Sequence, residues 1–376
     1  MAGKIGAGGM RERPNRMVSK TIVPPGTVGS NPTPSAAYTG RRPQAPAPPL
    51  RPIGKAAGLR SSHPAPRRAS RIRRVAVAMA VLGAVVGSAC GDDSSGSSSV
   101  ADTSGSETAA APPFEVMTRT VTFVDDHRDR TLATTIHSPV DVPGPVPLIA
   151  FAHGNDGHPR KFSQLLTAWA EAGYVVAAPA FPLTNDEAPG PSVFSDVANQ
   201  PADVRFVIDE MLALNDDPDD ALFETIDPEH IGAGGLSLGG WTTYGVTYNS
   251  CCRDDRIDAA LAMSAIFGTF EGGDYDVSGV PLLIIYGTAD PIAAGSPDVY
   301  VEAAPPKYLV TIVGGTHAAP FEDDPDPADG IVRTVTIDFW DAYLSGRPGA
   351  LEALVADARV PGATELEFSD ARLDAR

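Results

Sequence analysis

Ser237 stands in Gly235-Leu236-Ser237-Leu238-Gly239, within HIGAGGLSLGGWTTYG over 230–245, where six glycines surround one serine. An apolar run stops at this serine and helix-forming periodicity resumes after it. That is the strand–turn–helix context in which G-x-S-x-G holds a nucleophilic hydroxyl out on a sharp turn. Glycine two positions to either side meets a steric need, because side chains there collide in so tight a turn. A serine hydroxyl becomes a good nucleophile only when a base takes its proton and a third group orients that base. Downstream, LLIIYGTADP places Asp290 just past the end of one strand, and TIVGGTHAAP places His317 just past the next. Serine, acid, histidine is the chain order that accompanies this turn motif. Of the seven histidines, His317 alone follows both other members. His63 lies near the start of the chain, His127 in an N-terminal strand pair, and His137 and His230 within or at the start of strands.

Acyl transfer also needs two donors aimed at the oxygen that becomes negative: the backbone N–H after the nucleophile and one from the loop after an earlier strand. FAHGNDGHP, residues 151–159, ends a strand in a glycine-bearing turn, so the two donors are expected to be Leu238 and Asn155. Losing one such donor typically costs about 3 to 4 kcal/mol of transition-state stabilisation. His153 and His158 are read as bracing this loop.

Such residues need elements to hold them. RTVTFVDD and TLATTIHS read as a strand pair, PLIAFAHG (147–154) as a buried strand, FSQLLTAWAEAG (162–173) as a helix and YVVAAPA as a strand. PADVRFVIDEMLAL (201–214) follows as a helix, HIGAGG as a strand and LSLGGWTTYGVTY as a helix. IDAALAMSA, VPLLIIYG and YLVTIVGG (308–315) are further strands, and GIVRTVTIDFWDAYLSG (330–346) is a closing amphipathic helix. Alternation of this kind predicts an α/β fold, a mostly parallel central sheet with helices on both faces and its chemistry at the carboxyl ends of the strands. No internal repeat is visible.

The chain from 114 to 376 resembles an α/β-hydrolase of the group containing dienelactone hydrolases, chlorophyllases, polyester hydrolases and platelet-activating-factor acetylhydrolases. The stretches that carry the resemblance are FAHGNDG, LLTAWAEAGYVVAAPAFP, ADVRFVIDEML, GAGGLSLGG, YGTADP and GTHAAPF. It implies Ser237 as nucleophile, His317 as general base and then acid, Asp290 as the residue orienting His317, and Asn155 and Leu238 as the oxyanion hole. Dienelactone hydrolases proper use a cysteine nucleophile, so serine points toward ordinary esters: small-molecule, lipid or polyester. The expected activity is a serine carboxylic-ester hydrolase working through an acyl-enzyme, with no metal or organic cofactor. An acyltransferase with the same triad, or a non-catalytic surface-binding lipoprotein that keeps the fold, are the alternatives.

Composition changes sharply along the chain. Residues 1–90 hold 15 of the 29 Lys and Arg and a single acid, Glu12, leaving 14 bases against 46 acids in the remainder. So acidic a remainder excludes a nucleic-acid partner that needs a basic footprint. Residues 1–66, rich in Pro, Gly, Arg and Ala, cannot bury enough apolar surface to fold, and read as a disordered basic extension or as translation from too early a start. Residues 67–90 read as a signal peptide: RRASRIRR, the apolar run VAVAMAVLGAVVGSA, then Cys90. That apolar run is shorter than the roughly 20 residues a transmembrane span needs. GSAC before a Ser/Gly/Asp-rich stretch resembles a bacterial lipoprotein signal, although Gly87 occupies the place where that motif usually has an aliphatic residue. The expectation is an exported protein held to the cell membrane through lipidated Cys90, with a soluble secreted form or an uncleaved anchor as alternatives. Residues 91–113 read as a flexible linker.

Four further features have more than one reading. Cys251 and Cys252 form a bond between neighbours, remain as free thiols, or bind metal; an adjacent bond is disfavoured because Cα atoms about 3.8 Å apart are closer than disulfides prefer. Trp241, four residues after Ser237, lines a substrate pocket or joins the core. PLTNDEAPGPSVFSD (182–196) shapes substrate access or is only surface loop. FEDDPDPADG (321–330) lacks the alternate-position ligand pattern of a calcium loop and reads as a solvated acidic segment.

Overall fold

The structure, a computed structural model, describes residues 113–374. Strands β1 (Val116–Asp125) and β2 (Arg130–Pro139) form an antiparallel pair. β3 (Val146–Ala152), α1 (Ser163–Glu171), β4 (Val175–Ala180) and α2 (Gln200–Asn215) follow. Next come β5 (Ile226–Leu236), α3 (Leu238–Tyr248), β6 (Ile257–Met263), β7 (Leu282–Gly287), α4 (Ser296–Glu302) and β8 (Lys307–Ile312). The chain closes with α5 (Asp329–Tyr343), α6 (Ala350–Asp357), β9 (Thr364–Ser369) and α7 (Ala371–Asp374).

The nine strands of the described residues join one sheet in the order β1-β2-β4-β3-β5-β6-β7-β8-β9. The six from β4 to β8 run parallel, while β1, β2 and β9 supply antiparallel margins. Parallel strands covered on both faces must be apolar throughout rather than alternating, and VVAAPA in β4 is buried at every position. The antiparallel β1 alternates exposed and covered residues instead.

Helices cover both faces. On one, Leu166 and Trp169 of α1 meet Val335, Phe339 and Trp340 of α5 over Phe151, Val176, Leu261 and Leu283. The apolar residues of α5 recur at helical spacing, and the Trp169 and Trp340 rings meet edge-on with centroids 5.7 Å apart. Truncating either tryptophan to alanine would cost about 3 to 5 kcal/mol. On the other face Val204, Val207, Ile208 and Met211 of α2 cover Leu148, Ala150, Val175 and Ala177.

The helix expected over 330–346 forms as α5 but does not close the chain, since α6, β9 and α7 follow it. β9 pairs along the whole of β8, from Lys307 opposite Ser369 to Ile312 opposite Thr364, and so covers an edge that would otherwise expose unpaired backbone groups. Because the six central strands run one way, the turns after β3 to β8 gather along one edge of the sheet, where Asn155, Ser237, Leu238, Asp290 and His317 lie.

Candidate active site

Ser237 links β5 to α3 with φ 56°, a left-handed conformation unusual for a residue with a side chain. Its N–H donates to Met263 O at 2.9 Å, and its carbonyl accepts from Trp241 N and Ile266 N, both at 3.1 Å. The chain on either side is pressed so close that only glycine fits. A Cβ on Gly239 would lie 2.0 Å from Ala152 O, and one on Gly235 would lie 2.4 Å from Gly239 O. This is the turn expected of the motif: a strained conformation held by its surroundings, with the hydroxyl presented at the sheet edge.

The structure brings the three sequence-selected residues together. His317 Nε2 lies 2.8 Å from Ser237 Oγ and His317 Nδ1 lies 2.7 Å from Asp290 Oδ2. The Asp290 side chain is wholly buried, whereas His317 keeps 24 % of its side chain open to solvent. Burial alone would raise the Asp290 pKa. Hydrogen bonds from His317 and the Ile292 N–H, helped by the nearby Ser264 hydroxyl, outweigh it and hold the carboxyl below its ordinary value. The carboxylate therefore keeps a proton on His317 Nδ1, and Nε2 is left to accept the Ser237 proton. Asp290 is itself fixed through Oδ1, which accepts from Ile292 N at 2.9 Å and Ala293 N at 3.3 Å.

The turn after β3 abuts Ser237. A Cβ on Gly154 would sit 3.2 Å from Ser237 Cβ. His153 is fully buried, with Nδ1 donating to Gly154 O at 2.7 Å and Nε2 accepting from Phe181 N at 3.0 Å. Burial drives its pKa down to about 4, so the ring is neutral and pins this turn to the end of β4. His158 caps the short turn after it, accepting from Arg160 N at 3.3 Å. Asn155 Oδ1 accepts from Ser192 Oγ at 2.6 Å, which ties the turn to the 182–196 loop. Leu238 is buried and opens α3, whose first-turn N–H groups have no acceptor within the helix.

Trp241 is half-buried and belongs to an aromatic row on the same edge. Its ring centroid lies 6.1 Å from that of Phe194 and 5.7 Å from that of Phe270, while Phe267 meets Tyr275 at 4.8 Å. Phe194 and Phe267 are exposed. The 182–196 loop thus reaches Trp241 through Phe194 and is anchored by Asp196, which takes bonds of 2.7 and 2.9 Å from buried Arg130. Arg130 also bonds Asp203 of α2. Partners 66 and 73 residues apart leave no local sequence signal.

Cys251 and Cys252 are joined in a disulfide with Cα atoms 3.8 Å apart, in the turn after α3. Cys252 packs against the cluster of Phe270, Trp241 and Tyr275. In the acidic 321–330 segment, Asp323 Oδ1 accepts from Gln164 N at 2.9 Å near the start of α1, so one of its acids serves the chain's own backbone. Cys90, expected to carry lipid, lies outside the described residues.

Ser264, one residue beyond β6, is the site neighbour that the sequence reading passed over. It is fully buried, adopts φ 40° and donates its N–H to Ile285 O at 2.7 Å. Within IDAALAMSA it looked like a strand residue, and only the adjacent strand end shows its place beside Asp290. No family model matches the chain, and no curated protein is similar to it.

Proposed function

We propose that the chain is a serine carboxylic-ester hydrolase with the α/β-hydrolase fold, exported and held at the membrane by a lipid on Cys90. One observation carries the catalytic reading: Ser237 Oγ, His317 and Asp290 form a continuous hydrogen-bonded line with a buried carboxylate at its end. Ser237 Oγ attacks the ester carbonyl as His317 Nε2 takes its proton, forming the C–O bond of a tetrahedral intermediate. Asp290 stabilises the imidazolium without taking a proton from it. The negative oxygen is received by the N–H groups of Leu238 and Asn155. Collapse breaks the bond to the alcohol, which leaves with the proton from His317, and an acyl-Ser237 remains. Water, deprotonated by the same histidine, releases the acid and restores the serine. The half-buried Trp241 face is proposed to receive an apolar part of the substrate.

The test is hydrolysis of p-nitrophenyl esters from acetate to palmitate, alongside labelling by a fluorophosphonate. The expected outcome is turnover and labelling in the native chain and neither in Ser237→Ala. The acyl length of fastest turnover then sorts short-chain from long-chain esters. Labelling with transfer to added alcohols in preference to water would favour an acyltransferase. Failure to label folded protein would leave a non-catalytic binding lipoprotein.

A further inference from the structure

We propose that Ser264 is a positioning residue for the reaction: its hydroxyl serves Asp290, restraining the carboxylate and tempering its pull on His317. The inference rests on the triad reading above. Four observations converge on it. Ser264 is fully buried, yet Oγ has no partner within hydrogen-bonding geometry. An unmet buried hydroxyl costs free energy and calls for a reason. Its backbone is held at φ 40°, strained for any residue with a Cβ, and such strain gathers at functional sites. It is built into the scaffold that shapes the nucleophile. The preceding residue, Met263, accepts the Ser237 N–H, and Ile266, two residues on, donates to the Ser237 carbonyl. Its own N–H is tied to Ile285 of β7, the strand that leads to Asp290. Finally, Ser264 follows the end of β6, beside the end of β7 whose next turn carries Asp290, and its hydroxyl is among the groups that favour the ionised form of that carboxylate.

The rest of the Asp290 environment shows why a further donor is useful there. Oδ1 is held by two backbone N–H groups, and Oδ2 by His317 alone among the hydrogen bonds of ordinary geometry. The carboxylate's grip on the imidazole is therefore set at Oδ2, where a hydroxyl that rotates about its C–O bond can share the charge. Catalytic hydrogen bonds are often long in the free enzyme and tighten when charge develops. The titratable group facing Asp290 is His317, and Glu322 on the same loop adds its field at His317. A hydroxyl that shares the Asp290 charge makes that carboxylate less basic. Removing it makes the carboxylate hold the His317 proton more tightly and gives it more freedom to turn.

The experiment follows the His317 ring by NMR titration in the full chain and measures the pH profile of kcat/KM, in native protein, Ser264→Ala and Ser264→Gly. Glycine removes the hydroxyl and also relieves the positive φ, so it separates the donor from the strain and guards against a variant that fails to fold. In both variants we expect the His317 pKa to rise by about 0.5 to 1 unit. The acid limb of kcat/KM should move with it, kcat should fall about tenfold, and KM should be unchanged. A His317 titration that is the same in all three proteins overturns the proposal, as does a shift in alanine that glycine abolishes. If the native chain has no esterase activity, the proposed function fails. The NMR titration still decides whether Ser264 governs the Asp290–His317 pair.

Discussion

His153 and His317 both follow the carboxyl ends of parallel strands and both border Ser237, yet their surroundings give them opposite properties. The ring of His153 is wholly enclosed, both nitrogens engage backbone groups, and burial keeps it neutral. The ring of His317 stands partly in solvent between a carboxylate and a hydroxyl. Imidazole is the same in both. What differs is whether a charge on the ring would be met: at His317 a buried carboxylate waits for it, and at His153 no carboxylate bonds the ring. A histidine bonded to backbone on both sides is a bracket, and one bonded to an acid and a serine hydroxyl is placed to carry a proton.

Variants that break the two histidines should separate the roles. Ser237→Ala or His317→Ala should lower kcat on the order of a millionfold, and Asp290→Asn about ten-thousandfold, with the fold intact by circular dichroism. More than a tenth of native turnover in any of the three would remove that residue from the mechanism. His153→Phe keeps a ring of similar size but strands the Phe181 N–H and the Gly154 carbonyl. Unmet buried groups cost about 1 to 3 kcal/mol each, so the variant should lose roughly 3 kcal/mol in urea unfolding. Because the turn it braces carries Asn155, kcat should also fall, but by a factor of about 10 to 100. A His153 variant with native stability and no turnover would reverse the assignment.

Much of the His317 side of this comparison could be read in the sequence. Its identity followed from order alone, since it comes after both a glycine-flanked serine and an acid at strand ends. The parallel strands declared themselves as continuous apolar runs. Less visible were features whose meaning depends on distant partners. Ser264 resembled any strand residue until β7 was placed beside it, and Arg130 gave no sign that it would meet Asp196 and Asp203. β9 carries only Leu366 and Phe368 as large apolar residues, alternating with exposed Glu365 and Glu367, a short pattern that fits an edge strand but does not announce one. α4, seven residues opening on Ser-Pro, is too short for periodicity to show. Burial of His153 is likewise a tertiary fact: HGNDG looks the same whether its ring is enclosed or exposed.

The two histidines should differ again as pH falls, where the buried ring should register in stability. The His153 pKa is about 4 when folded, against an ordinary value of 6.5. Between those values the unfolded chain binds the proton and the folded chain does not, so stability rises with pH there. The contribution is fully present above pH 6.5 and is lost as pH falls toward 4. From pH 7 to pH 5 the loss from this one ring is about 2 kcal/mol. His137 is also pushed down to about 4 by burial and adds to the slope in the same direction. Phenylalanine at 153 cannot bind a proton, so His153→Phe should lack its share of the loss. The gap between native and variant, roughly 3 kcal/mol at pH 7, should narrow to about 1 kcal/mol at pH 5. Urea unfolding of both proteins at pH 7, 6 and 5 measures that gap directly, and effects of all other groups cancel in the difference. A gap that stays constant would mean His153 titrates alike in both states, and the enclosed, neutral bracket would have to be abandoned.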